Sequence, residues 1–262
     1  MSESDSVPDF RQGMIKRRLS DVRHVLLVLS GKGGVGKSVV SATLAAQLAA
    51  SGFKVGLLDA DIYGPSSALL FGTGTLPEEG KGGLTPPVSR GVKIMSVDLF
   101  ASGRPLPLTG YGARQVLVEL LALTHWGELD CLVADMPPAT GDIMQVLTSL
   151  GGAQPSGLVV SMPDRLSTAV AHRVLELLRS EKVPTIGVLE NMHRPGPGQV
   201  RGIRGPARLA REFGVPFLGA LPFDSGVTNA VEQADVGALL KTEFAEKLRR
   251  ATLPYMKTLR TD

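Results

Sequence analysis

His24-Val25-Leu26-Leu27-Val28-Leu29-Ser30 runs directly into Gly31-Lys32-Gly33-Gly34-Val35-Gly36-Lys37-Ser38, and an alanine-rich stretch, SVVSATLAAQLAAS over 38–51, follows at once. A short continuous apolar run bounded by glycine suits a strand buried on both faces, and the stretch after the loop has helical spacing. Between them stands G-x-x-x-x-G-K-S in the strand, loop and helix context this motif requires. Gly31, Gly33, Gly34 and Gly36 let backbone N–H groups, with those of Val35 and Val39, turn inward around phosphate oxygens, and the helix N-terminus adds its positive end. Lys37 is placed to meet the β and γ phosphates, and the Ser38 hydroxyl to complete a Mg²⁺ shell. The expected ligand is ATP with Mg²⁺. A glycine-rich turn that matches by chance is the plain alternative, and the flanking pattern counts against it.

Six further apolar runs repeat the form of the first: KVGLLDAD, VKIMSVDL, LDCLVADMP, SGLVVSMP, TIGVLEN and VPFLGALP. Helical spacing separates them in ARQVLVELLALTHW, DIMQVLTSL, STAVAHRVLELLRS and GPARLAREF. Alternation of this kind predicts an α/β fold, a doubly wound, mostly parallel sheet of about seven or eight strands with helices on both faces and ligands at the carboxyl ends of the strands. Residues 1–20 read as a flexible N-terminal segment or a short docking helix, and 21–262 as a single domain. Residues 73–90 and 193–206, rich in Gly, Pro and Arg, read as surface loops.

The formal charge of +3 on 262 residues is scattered, which argues against a nucleic-acid footprint. No apolar signal core opens the sequence and no run is long enough to span a membrane, so a cytosolic protein is expected. The single cysteine, Cys131, lies in an apolar run and reads as a buried core residue. The tail from Lys241 carries Phe244, Leu248, Leu253, Met256 and Leu259 beside basic residues, with Pro254 interrupting, and reads as a packed terminal helix in preference to a membrane-surface one.

GKGGVGKS resembles the deviant phosphate loop of the family that includes nitrogenase iron protein, MinD, ParA and the Mrp scaffolds. The resemblance implies that Lys32 reaches across a face-to-face dimer to the partner's nucleotide, as an arginine finger does elsewhere. Asp59-Ala60-Asp61-Ile62-Tyr63-Gly64-Pro65-Ser66 is similar to the Mrp subgroup. It implies that Asp61 orients the attacking water or joins the metal site, while Asp59 supports the loop or the Mg²⁺ shell; either acid could instead cap a helix. Asp135-Met136-Pro137-Pro138-Ala139-Thr140-Gly141-Asp142 is similar to the Mrp switch, with Ala139 in place of glycine. By that likeness Asp135 holds the Mg²⁺ waters and Gly141 and Asp142 sense the γ-phosphate. GVLENM and VPFLGALPFDSGV also match Mrp-type sequences, which implies adenine contacts from Asn191, Pro222 and Asp224. Without the family, Asn191 is a turn-former and Asp224 a helix cap.

The resemblance breaks after Asn191-Met192-His193. Mrp-type carriers place a C-x-x-C pair there for a bridging iron-sulfur cluster, and one cysteine per chain cannot supply four thiolates even in a dimer. The family implies cluster carriage; the sequence argues against it at the usual site. The expectation is therefore an Mg-dependent ATPase, slow and dimer-dependent, working as a homodimer or as a heterodimer with a cysteine-bearing paralogue. No client apoprotein is legible. A MinD- or ParA-like positioning ATPase acting on membrane or DNA is the alternative.

Overall fold

A computed structural model describes residues 10–101, 110–138, 155–194 and 205–259. The expected helix DIMQVLTSL, the switch residues Ala139, Thr140, Gly141 and Asp142, and residues 195–204 of the second loop lie outside them.

The chain forms strands β1 (Val22–Leu29), β2 (Val55–Asp59), β3 (Glu78–Gly80), β4 (Gly83–Thr85), β5 (Val88–Ser89), β6 (Val92–Met95), β7 (Leu129–Asp135), β8 (Pro155–Ser161), β9 (Thr185–His193) and β10 (Phe217–Pro222). Eight of them make one sheet in the order β10-β9-β8-β1-β7-β2-β6-β5, parallel throughout except for the β5–β6 edge pair. The seven runs singled out in the sequence are its seven parallel strands. They read as unbroken apolar runs because both faces are covered: Val25, Leu27 and Leu29 enter one core layer and Leu26 and Val28 the other.

One layer is built with α1 (Phe10–Arg18), α5 (Gly110–Leu123), α6 (Arg165–Ser180) and α7 (Pro206–Phe213); the other with α2 (Lys37–Ala50), α8 (Ser225–Glu232), α9 (Val236–Leu239) and α10 (Glu243–Thr258). Short helices α3 (Ser67–Leu70) and α4 (Asp98–Ala101) follow β2 and β6. The chain winds from β1 outward through β2 and β6, returns to insert β7, and then builds β8 to β10 on the opposite side. The phosphate loop thus leaves the strand at which the winding reverses, where doubly wound sheets place ligands.

Three local readings are refined. Of the two readings of the N-terminal segment, the short helix is the one formed over 10–18: α1 docks with Ile15 and the following Leu19 buried and Arg11 paired to Glu119 of α5 at 3.0 Å. The stretch 73–90 is not loop throughout, since it holds the β3–β4 hairpin and the edge strand β5. Gly83, at φ +114°, is where that hairpin meets the end of α5, and an added Cβ would strike the Leu123 carbonyl. Pro254 does not end the terminal helix; α10 runs through it, burying Phe244, Leu248 and Met256, with Gln47 of α2 donating to the Ala245 carbonyl at 2.7 Å. Among the described residues no helix is long and apolar enough to cross a membrane.

Candidate nucleotide site

Parallel register brings the site together. Across β1, β7 and β2, Val28 stands opposite Asp135 and Asp135 opposite Asp59. The phosphate loop and the two acidic strand ends therefore emerge level with one another.

Two loop glycines, Gly34 at φ +78° and Gly36 at φ +84°, hold the left-handed conformation that side chains resist, and Gly36 is the residue from which α2 starts. Gly31 lacks room for any side chain, because a Cβ would lie 2.5 Å from the Val170 carbonyl carbon of α6. Gly31→Ala is expected to force the loop off α6, lowering stability by about 1–3 kcal/mol in urea denaturation and weakening nucleotide binding in parallel.

Lys37 is buried, and its ammonium lies 2.5 Å from Asp135 Oδ1 and 3.5 Å from the Ser38 hydroxyl. The Ser41 hydroxyl, one turn further along α2, lies 2.9 Å from the same Oδ1. Asp135 is wholly buried, and its Oδ2 accepts no hydrogen bond among the described residues. A buried carboxylate oxygen without a donor is costly, so a protonated partner such as a metal-bound water suits this position.

Asp59 is also wholly buried, but its oxygens are engaged: Asp61 N–H donates at 3.1 Å, Ser66 N–H at 2.8 Å and Ser67 N–H at 2.9 Å. Of the two roles left open for Asp59, supporting the 60–67 loop is the one these contacts perform. Burial, with the neighbouring Asp135 charge, pushes its carboxyl up to about 7. Asp61 is half-buried at the rim, one oxygen accepting from Gly64 N–H at 3.2 Å. Among the described residues Asp59, Asp61 and Asp135 do not close into a metal-binding triad. Magnesium at phosphate loops takes few protein ligands, so a Ser38 hydroxyl with Asp135 behind it fits that chemistry better than three carboxylates would.

Lys32 lies on the other side of the loop, its ammonium 3.7 Å from Asp164 Oδ2 on a partly exposed surface. Asp164 caps α6, accepting from Ser167 N–H at 2.8 Å.

The model of the ParA family described as NUBPL iron-transfer P-loop NTPase matches residues 21–254. The chain belongs to that family. Among its relatives, the iron-sulfur cluster carrier protein of Methanocaldococcus jannaschii is 34% identical over 90% of this chain and 85% of its own length. That of Deinococcus radiodurans is 39% identical, with 84% of this chain matching 64% of the relative, and the Rickettsia typhi protein is matched over 67% of its length. Among solved structures, the nucleotide-binding protein of Archaeoglobus fulgidus, in complex with ADP, is similar at 33% identity and TM-score 0.70, over 86% of this chain and 92% of that one. The cell division ATPase MinD of Pyrococcus furiosus shares the fold at 18% identity and TM-score 0.65, over 90% and 99%.

Within this member of the NUBPL family, the three residues carried over for the adenine have the following protein contacts. Asn191 is buried against the phosphate loop, its amide donating to the Val35 carbonyl at 2.8 Å, and it occupies the space a Cβ on Gly36 would need. It is a tether of the loop. Asp224 caps α8 through Gly226 N–H at 2.8 Å and ties in α10 through Phe244 N–H at 3.2 Å, the helix-cap role. Asp224→Ala is expected to cost about 1–3 kcal/mol in urea denaturation. Pro222 ends β10 and lines a cavity of about 380 Å³ with His193, Arg194, Phe223, Glu243 and Lys247. Here Arg194 stacks over the Phe223 ring at 3.9 Å, and His193 Nδ1 lies 2.6 Å from Glu190. A larger cavity, about 690 Å³, opens between α6 and α7 and contains none of the expected site residues.

Ser41, Asp164 and Glu190 were not singled out in the sequence. Only Ser41 left a usable trace: four positions after Lys37 on a helix, it must face the same strand ends. Cys131 is wholly buried in β7, its Sγ 3.9 Å from the Tyr255 hydroxyl, and burial pushes the thiol up to about 12. This is an inert core cysteine.

Proposed function

We propose that the chain is the ATP-binding and ATP-hydrolysing subunit of an iron-sulfur carrier system, acting as a cytoplasmic dimer whose nucleotides lie between the subunits. The Lys37–Asp135 pair carries this reading: a buried ammonium on an acidic strand end, directly after a glycine-rich loop, is a cation held ready for phosphate oxygens. The phosphates would draw Lys37 from Asp135 to the β and γ oxygens, with the loop amides of 31–38 closing around them. Ser38 and Asp135 would hold Mg²⁺, which neutralises phosphate charge when bound. Asp61, at the rim of β2, would orient the attacking water.

The dimer reading has support of its own. Tyr63 is 61% exposed, Leu166 65% and Phe223 47%, each just past the carboxyl end of a parallel strand and so on the edge that bears the phosphate loop. Exposed bulky apolar residues on one edge favour a protein interface. Lys32, held by a partly exposed ion pair to Asp164, would exchange that partner for the nucleotide of a second subunit at little cost.

The cargo is argued from family membership and chemistry together. The relatives are iron-sulfur cluster carrier proteins, whereas this chain has one cysteine, buried in the core. A cysteine-bearing paralogue in a mixed dimer would hold the cluster while this chain supplies the nucleotide switch. Burial of the α10 apolar face favours this over a membrane-positioning role. Anaerobic purification with iron and sulfide analysis, alongside identification of co-purifying chains, tests the proposal. A cysteine-bearing partner carrying the iron supports it; a stoichiometric cluster on the isolated chain sinks it.

A further inference from the structure

We infer that Ser41 is the positioning residue that keeps Asp135 aimed at the divalent cation once Lys37 has turned to the nucleotide. This rests on the nucleotide reading above.

Ser41 is fully buried, with its hydroxyl 2.9 Å from Asp135 Oδ1 and 3.1 Å from the Lys37 carbonyl oxygen. One hydroxyl has one proton, and the nearer, charged acceptor is the stronger claimant, so Ser41 donates to Asp135. Oδ1 therefore carries two donors, the Lys37 ammonium and the Ser41 hydroxyl, while Oδ2 carries none among the described residues.

That asymmetry has a consequence when a triphosphate enters. Lys37 leaves Oδ1 for the phosphates, and Ser41 is then the one side-chain donor among the described residues still holding the carboxylate. The terminal torsion of an aspartate is soft and roughly two-fold, so an unanchored carboxylate swings. The Asp59 oxygens are taken up by the amides of 61, 66 and 67 and make no hydrogen bond to Asp135 among the described residues. The bond from Ser41 would fix Oδ1 against α2 and leave Oδ2, which has no donor among the described residues, to accept from a metal-bound water.

The test compares affinities and needs no turnover. Binding of a fluorescent ATP analogue is measured with Mg²⁺ and with EDTA in wild type, Ser41→Ala and Ser41→Thr. Alanine is a good helix former and the change removes a single oxygen, so folding is expected to survive, with the urea midpoint as a check. Ser41→Ala should lose about tenfold of the Mg-dependent gain in affinity while its EDTA affinity stays within about twofold, and Ser41→Thr should recover the gain. A Mg-dependent gain in Ser41→Ala equal to that of wild type overturns the assignment, as does an equal loss with and without Mg²⁺, which marks a purely structural role. Failure of the wild type to bind the analogue at all would reject the nucleotide reading itself, and the Ser41 role with it.

Discussion

Lys37→Ala should bind ATP on the order of 100-fold to 1000-fold more weakly than wild type, because it removes two or so charge-assisted hydrogen bonds to phosphate oxygens. A second effect accompanies it. Asp135 is wholly buried and its Oδ1 loses the ammonium 2.5 Å away, which leaves an uncompensated buried charge at a cost of about 3–5 kcal/mol. The two effects are separable with the double variant Lys37→Ala, Asp135→Asn, in which the buried charge is gone: its urea stability should recover most of the loss, and its ATP affinity should not. Fluorescence titration at a temperature where all variants are folded gives the affinities. Binding by Lys37→Ala within a few-fold of wild type would place the triphosphate somewhere other than the loop at 31–38.

Lys32→Ala is expected to do the opposite in every respect but turnover. Its ion pair with Asp164 is partly exposed, so stability should change by less than about 1 kcal/mol. Binding of ATP to the single subunit should also persist, since the subunit's own phosphates are met by Lys37 and the loop amides. What disappears is the positive charge lent to the neighbouring nucleotide: hydrolysis should fall about 10³-fold and ATP-dependent dimerisation should be lost, read by phosphate release and by sedimentation in the presence of Mg-ATP. A variant that still hydrolyses at the wild-type rate would leave Lys32 as no more than a partner of the α6 cap.

The unequal behaviour expected of these two lysines follows from their partners, which are less legible in the sequence than the sheet and the loop. The parallel strands were legible because burial on both faces imposes an unbroken apolar run on each, and the loop was legible because phosphate geometry dictates glycine at fixed offsets. Strand β5 and the β3–β4 hairpin were not, because short pairings at an exposed edge need no apolar code; Glu78, Glu79 and Gly80 are all exposed. Helix α1 was legible as one of two readings only, since Ile15 is the one residue of it that is buried.

Within the site, residue types were readable and their partners were not. Nothing local to Lys37 indicates that its ammonium rests on Asp135, 98 positions away, or that Asn191 reaches 156 positions back to Val35. Such contacts are products of strand order, fixed only when β7 inserts beside β1 and β9 lies beyond β8. Asp224 is a further case: the Gly226 and Phe244 amides that its oxygens accept from, two and 20 positions on, are set by the start of α8 and the docking of α10.

Calorimetric titration of Mg-ATP into the intact, folded chain tests the central claim most directly. One nucleotide bound per chain, with affinity lowered when EDTA removes the metal, is the expected result; a folded protein that takes up no nucleotide at millimolar Mg-ATP would contradict it.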